Sequence, residues 1–254
     1  MLEEAVGLGA KDMIALVGAG GKTTLAFSLA AELSRKGHSL LVTTTTKIYY
    51  PRERFVRVYT EDKGEFTRSF IKRVLKEGVP VLGKGLLPQG KVKGLEPNRV
   101  DDIFSWGPIE YIIVEADGAA RKPIKLPAEH EPVIPKKSTI VLGFIGMDAI
   151  GRPMTEANFH RVDIACRKLG YYHGQTIDED MAVSIVLWSE GLFKGVPEGA
   201  KKVLVLNKAD GVREKTSARK IAARVLGKKG KDDIIPDKII VSSLVTGGRV
   251  EVLV

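Results

Sequence analysis

A single cysteine, Cys166, stands among 254 residues, which excludes an intrachain disulfide and a thiolate-cluster metal site. Redox chemistry carried by protein sulfur goes with them. Amide side chains are scarce as well: Gln89 and Gln175 are the only glutamines, and Asn98, Asn158 and Asn207 the only asparagines. That depletion points to a thermophilic source and leaves function open. No apolar run approaches the ~20 residues of a membrane span, and the opening Met1, Leu2, Glu3, Glu4, Ala5 lacks the basic and apolar regions of a signal peptide. The expectation is a cytoplasmic protein without a membrane partner. Aromatic residues amount to 6% and do not interleave with basic ones as a nucleic-acid stacking surface would. The net charge of +9, from 40 Lys and Arg against 31 Asp and Glu, is scattered, as at Arg52, Arg54, Arg57, Lys136 and Lys137. No recognition-helix or zinc-finger spacing accompanies it, so we expect solvated surface and no specific nucleic-acid partner.

What is present is alternation. Continuous apolar runs bounded by Gly, Pro and charge predict buried strands at Met13–Gly18, Leu40–Thr46, Tyr111–Asp117, Thr139–Gly146, Val203–Asn207 and Ile239–Ser243. Weaker strands fall at Val56–Tyr59 and Val79–Leu82. Helical periodicity between them spans Thr23 to Lys36, Glu65 to Lys76, Glu156 to Leu169, Glu179 to Glu190 and Arg213 to Leu226. Strand and helix in turn predict an α/β fold: a three-layer, doubly wound, mostly parallel sheet. We expect one domain over residues 1–254, with an insertion or edge elaboration at about 55–105, Gly/Pro/Lys-rich from Gly83 to Pro97, and a terminal edge strand in Arg249–Val254. Ligands of such sheets gather at the carboxyl ends of the strands.

The first strand runs into Gly18, Ala19, Gly20, Gly21, Lys22, Thr23 and Thr24, and an amphipathic helix follows at once. These are the parts of a phosphate cradle. Glycines let backbone N–H groups converge on phosphate oxygens, Lys22 can reach the β- and γ-phosphates, and the Thr23 hydroxyl can ligate Mg²⁺. The expected fold is therefore of the P-loop NTPase type. Position 16 is Leu16, so the spacing is the short G-x-x-G-K-S/T, which resembles the loop of Mur-type peptide ligases. A tight glycine turn with a solvated lysine is the competing reading.

The second strand ends in Thr43, Thr44, Thr45, Thr46 and Lys47. Threonine suits strands for its own sake, while Thr45, Thr46 and Lys47 at the tip also stand where they can serve a metal or substrate. The Tyr111 strand ends on Glu115 and Asp117, two carboxylates at i and i+2, which a continuing strand puts on one side. Either can ligate Mg²⁺ between phosphates or accept from its water, and residue spacing does not choose between them. Arg121, Lys122 and Lys125, then Glu129, His130 and Glu131, form a mixed-charge segment able to close over phosphates or an anionic substrate.

Asn207, Lys208, Ala209 and Asp210 follow a strand as N-K-x-D. The Asp210 carboxylate can accept from guanine N1–H and the exocyclic amine together, whereas adenine offers an acceptor at N1 and strands the acid. Lys208 can lay its stem across a base, and Asn207 can tie the loop back to the glycine turn or to N7. Ser242 and Ser243 close a later strand, where a backbone N–H can meet guanine O6.

Gly18–Thr24, Val42–Ile48, Val114–Pro123 with its E-A-D-G, Ala128–Pro132 with A-E-H-E-P, and Leu206–Asp210 together resemble the YqeC family, accessory proteins of selenium-dependent molybdenum hydroxylases. The resemblance runs from about Met13 to Ser243. It implies a nucleotide-binding protein in maturation of such an enzyme or its cofactor, with Mg²⁺ and GTP or ATP, and a molybdenum hydroxylase or its maturation proteins as partners. It also implies weight on Lys22, Thr23, Glu115, Asp117, His130, His160 and Arg161, the last two equally readable as a partly solvated helix face. The leading expectation is a GTP-preferring NTPase with Lys22, Asp117 and Glu115 as catalytic residues. A small-molecule kinase or Mur-like ligase, and a non-hydrolysing nucleotide sensor or scaffold, are the alternatives.

Overall fold

The computed structural model describes residues 1–228, 230, 234–243 and 249–253. In chain order the elements are α1 (Leu2–Val6), β1 (Asp12–Gly18), α2 (Lys22–Arg35), β2 (Leu40–Thr44), β3 (Lys47–Tyr49), β4 (Val56–Thr60), α3 (Arg68–Val74), β5 (Val79–Gly83), β6 (Gly85–Leu87), β7 (Lys91–Lys93) and α4 (Pro97–Ser105). Then follow β8 (Tyr111–Glu115), β9 (Ile124–Lys125), β10 (Ile140–Gly146), β11 (Phe159–His160), α5 (Val162–Leu169), α6 (Glu179–Leu187), β12 (Lys201–Asn207), α7 (Val212–Gly227), β13 (Lys238–Ser243) and β14 (Arg249–Val252). Among the described residues, nine strands form one sheet in the order β14-β13-β12-β10-β1-β8-β2-β5-β4. Its ladders are parallel throughout, except where β14 runs antiparallel to β13.

Alternation along the strands feeds two apolar layers. Met13, Ala15 and Val17 of β1, with Ile112 and Val114 of β8, join the layer covered by α3 through α7. Ile14 and Leu16, with Tyr111 and Ile113, face α1 and α2 on the other side. Burial on both faces is why these strands carry unbroken apolar runs. Every strong predicted strand is present in a three-layer α/β sandwich, and the expected fold class holds.

The differences have local causes. The strand predicted to Thr46 stops at Thr44, because Gly94 crosses it: a Cβ there would sit 2.4 Å from the Thr45 carbonyl carbon. The backbone of the crossing chain bonds Thr46 O (2.6 Å) and Thr44 O (2.8 Å) instead. The helix predicted from Glu156 begins only at Val162. Phe159 and His160 pair in parallel with Ile124 and Lys125, and Arg161, at φ 71, turns the chain into α5. The α6 helix ends at Leu187, since the Ile185 carbonyl accepts from Leu192 N at 2.8 Å rather than continuing the helix. Of the elaboration expected near 55–105, β4 and β5 extend the main sheet, whereas β6 and β7 join β3 in a separate antiparallel sheet. The terminal run does add an edge strand; its last residue, Val254, lies outside the described residues.

Candidate functional site

A parallel sheet brings the carboxyl ends of β1, β8, β10 and β12 to one edge, and the sequence-predicted residues meet there. Gly20 and Gly21 have φ of 96 and 129. A Cβ on Gly20 would sit 2.3 Å from Gly146 N, and one on Gly21 would sit 2.0 Å from Asn207 Nδ2. The turn after β1 is thus closed to any larger residue at both positions. Lys22 opens α2 with its side chain buried, and Nζ donates to Gly18 O at 2.5 Å. Burial pulls its pKa down, against the nearby charges of Glu115 and Asp117.

The two carboxylates of the acidic strand end diverge, because β8 stops at Glu115 and Asp117 lies in the following loop. Thr23 Oγ1 donates to Glu115 Oε2 at 2.7 Å. Burial pushes Glu115 upward, opposed by Lys22 and the Thr23 hydroxyl. Asp117 turns inward instead. Its Oδ2 accepts from Gly18 N at 3.0 Å and its Oδ1 from Lys125 Nζ at 2.5 Å. Lys125 also donates to Gly118 O (2.7 Å) and to Glu131 Oε2 (2.8 Å), and Arg161 grips Glu131 through Nε (3.0 Å) and Nη2 (2.8 Å). A chain of charge, Arg161 to Glu131 to Lys125 to Asp117, thus ends on the backbone of the glycine turn. The sequence marks Lys125 and Glu131 only as members of a mixed-charge segment able to close over an anion, whereas in the fold they pair with each other in the interior. The alternation of Ile124, Lys125 and Leu126 by itself reads as a strand with its lysine toward solvent, so the burial of Lys125 is visible only in the fold.

Burial alone would raise Glu131, yet hydrogen bonds from Arg161 and Lys125 outweigh it and hold the carboxyl at about 2, against an ordinary 4.5. The unfolded chain therefore takes up this proton first as pH falls. The stabilisation is complete above about pH 4.5 and is lost on acidification toward pH 2. Glu131→Gln is expected to show a shallower loss of stability across that window than the parent, read as denaturation midpoint against pH. Parallel curves would show that Glu131 is not held low.

The threonines divide. Thr43 Oγ1 donates to Leu82 O (2.8 Å), Thr44 Oγ1 to Glu115 O (2.7 Å) and Thr45 Oγ1 to Val133 O (2.6 Å), while Thr46 shares a bond with Thr44 (3.2 Å). They lock β2 to its neighbours. Lys47, one residue on, reaches the cleft described below. His130 is exposed and stands away from that cleft, against a hollow lined by Glu129 and Arg167. His160 lines the cleft, half-buried, its pKa pulled to about 4 by desolvation and by the charges of Lys125 and Arg161. It is neutral at pH 7.

The Asn207 side chain is buried between two loops. Its Nδ2 donates to Gly20 O (2.8 Å), and its Oδ1 accepts from the Ser242 hydroxyl (2.9 Å). It ties the glycine turn to β13, one of the two roles expected. Lys208, at φ 59, pairs with Asp148 at 2.8 Å, and the Ser243 hydroxyl donates to Asp210 Oδ1. Asp210 is exposed beyond the end of β12.

Between these loops opens a cleft of about 660 Å³, lined by the turn from Gly20 to Thr24, by Lys47, Ile48, Tyr49, Lys91 and Glu115, by the loop from Gly118 to Lys122, and by His160 and Lys208. Six of those side chains are lysine or arginine and one is a carboxylate. Ala120 and Arg121 occupy left-handed backbone in succession, φ 46 and 62, at roughly 1–2 kcal/mol for each residue. That turn sets the Arg121 guanidinium 4.2 Å from the centre of the Tyr49 ring. Tyr49 and Lys91 were not foreseen, because the small sheet that carries them has no periodic signature. Among the described residues no cluster of three or more His, Cys, Asp or Glu is suited to a metal ion. The Thr23 hydroxyl and Glu115 carboxylate are two hard oxygens at the cleft, a donor set that suits Mg²⁺ completing its shell with water and phosphate oxygens. Among the described residues, no helix is long and apolar enough to cross a membrane.

A profile of the YqeC family, described as YqeC protein, matches residues 14–163, which takes in the glycine turn, both acids and His160. The chain is also similar to the uncharacterized protein YqeC of Escherichia coli (strain K12), 32% identical over 196 residues that cover 77% of this chain and 75% of that protein. The buried chain from Arg161 to Asp117 and every residue lining the cationic cleft except Lys208 thus lie within the matched segment, and this chain belongs to the YqeC family.

Proposed function

We propose that the chain is a magnesium-dependent nucleotide-binding protein that prefers GTP to ATP and hydrolyses it. The observation that supports this reading most is the glycine turn between β1 and α2, with buried Lys22 behind it and Thr23 against Glu115 beside it, at the mouth of a strongly cationic cleft. Backbone N–H groups at the start of α2 bind phosphate, and Lys22 moves its ammonium from Gly18 O onto a phosphate oxygen. Thr23 and Glu115 would hold the metal, which would supply positive charge to the phosphate oxygens. Asp117 positions the turn through Gly18 N rather than holding the metal. Asp210 reads the base, oriented by the Ser243 hydroxyl. The resemblance of the chain to its family further supports a cytoplasmic accessory role in maturing a selenium-dependent molybdenum hydroxylase or its cofactor.

Calorimetry of the magnesium-loaded protein tests the nucleotide. GTP should bind more tightly than ATP by at least one stranded acceptor, ~1–3 kcal/mol or roughly tenfold and upward. Asp210→Asn should weaken GTP and improve XTP, because xanthine presents a carbonyl where guanine has its amine. Equal parental affinities with no gain for XTP would reduce Asn207–Asp210 to a polar turn. Release of free phosphate in a single turnover marks hydrolysis, a phosphorylated product marks a kinase, and neither marks a sensor.

A further inference from the structure

Besides Lys22 and Lys208, the cleft carries four more cationic side chains. Lys47, Lys91, Arg121 and Lys122 line it together, and among the described residues none of the four takes part in an ion pair. Lys208, which also lines the cleft, does have its carboxylate in Asp148. Two of the four come from the small antiparallel sheet, where Lys47 stands directly opposite Lys93 and Tyr49 opposite Lys91. Like charges facing each other across strands oppose pairing, so the fold keeps this density at a cost. The Tyr49 ring is the post around which it is arranged. Arg121 lies 4.2 Å and Lys91 4.9 Å from its centre, and half of the residue remains exposed. Both cations are thereby held by a neutral partner that leaves their charge free for an anion.

We propose that Lys47, Lys91, Arg121 and Lys122, with Tyr49, form a second anion subsite, which takes a phosphate-bearing small molecule beside the bound nucleotide. The assignment rests on the nucleotide reading, since the glycine turn and Lys22 already serve one set of phosphates and bound metal neutralises part of that charge. Arginine supplies a planar fork for two phosphate oxygens, and the lysines supply point charges around it. The glycine turn lines the same cleft, so the two ligands share one cleft.

The test is calorimetric titration of inorganic phosphate into protein saturated with Mg²⁺ and a non-hydrolysable GTP analogue, which blocks the nucleotide's own phosphate positions. Phosphate should bind the saturated parent and weaken at least about tenfold in Lys91→Ala/Arg121→Ala, with analogue affinity changed less than about threefold. Lys91→Ala and Arg121→Gln singly should each lose part of it, and thermal denaturation checks that each variant is folded. Absence of phosphate binding to the saturated parent, equal affinity in the double variant, or equal loss of phosphate and analogue would overturn the subsite. So would displacement of phosphate by a single-stranded oligonucleotide at lower concentration than by a phosphomonoester. If the parent binds no analogue, the nucleotide reading fails by itself, and phosphate binding to the free protein that the double variant abolishes still upholds the subsite.

Discussion

Lys125→Ala is expected to destabilise the protein by about 3–5 kcal/mol, the usual cost of removing one member of a buried ion pair. Lys125 is wholly buried between two acids, Asp117 and Glu131. Without its ammonium, Asp117 loses the partner on one oxygen, while Glu131 keeps hydrogen bonds from Arg161 and the Ala128 backbone N–H, with His130 at 4.0 Å. For a chain of this size the loss corresponds to a fall in melting temperature of roughly 6–20 °C. Scanning calorimetry reads it directly. The variant should also weaken nucleotide, because Asp117 no longer fixes Gly18 N. A melting temperature within a few degrees of the parent would mean that the chain from Arg161 to Asp117 does not hold the fold together.

Lys22→Ala should behave in the opposite sense. Its ammonium is buried as well, but its hydrogen bond goes to the Gly18 carbonyl rather than to an acid, and burial works against its charge. Removal relieves that desolvation, so the melting temperature should not fall by more than a few degrees. Affinity for magnesium-bound GTP should drop by about 2–5 kcal/mol, at least about thirtyfold, since a desolvated lysine is what meets the phosphates. Unchanged affinity in a folded Lys22→Ala protein would remove the phosphate role from the glycine turn. Two buried lysines a short distance apart are thus separated by one pair of measurements, one governing stability and the other ligand.

The central sheet was legible because strands buried on both faces announce themselves as unbroken apolar runs, and the glycine turn because only glycine satisfies its backbone. Asn207 was legible to the extent that one of its two expected roles, tying the turn back, is what its side chain does. The short pieces were not. The α1 helix and the β6–β7 hairpin are too brief for periodicity, and β11 pairs over two residues with a strand that no local signal marks. For the same reason Glu115 and Asp117 were indistinguishable from spacing. Whether the strand continues past Glu115 is decided by Lys125 and Gly18, which are distant or unremarkable in sequence. Thr45 showed the same limit, since its Val133 acceptor lies 88 positions away.

The bond from Asn207 to Gly20 joins residues 187 positions apart. A ribosome adding about 5–20 residues per second leaves roughly 10–40 s between the emergence of one and of the other. Through that interval the turn after β1 lacks the side chain that closes over Gly21, and β10, once made, has no neighbour on the side later taken by β12. The phosphate cradle is therefore among the last parts of the nascent chain to be finished, although its glycines are among the first to be made. No amino-terminal fragment that stops short of β12 contains it whole.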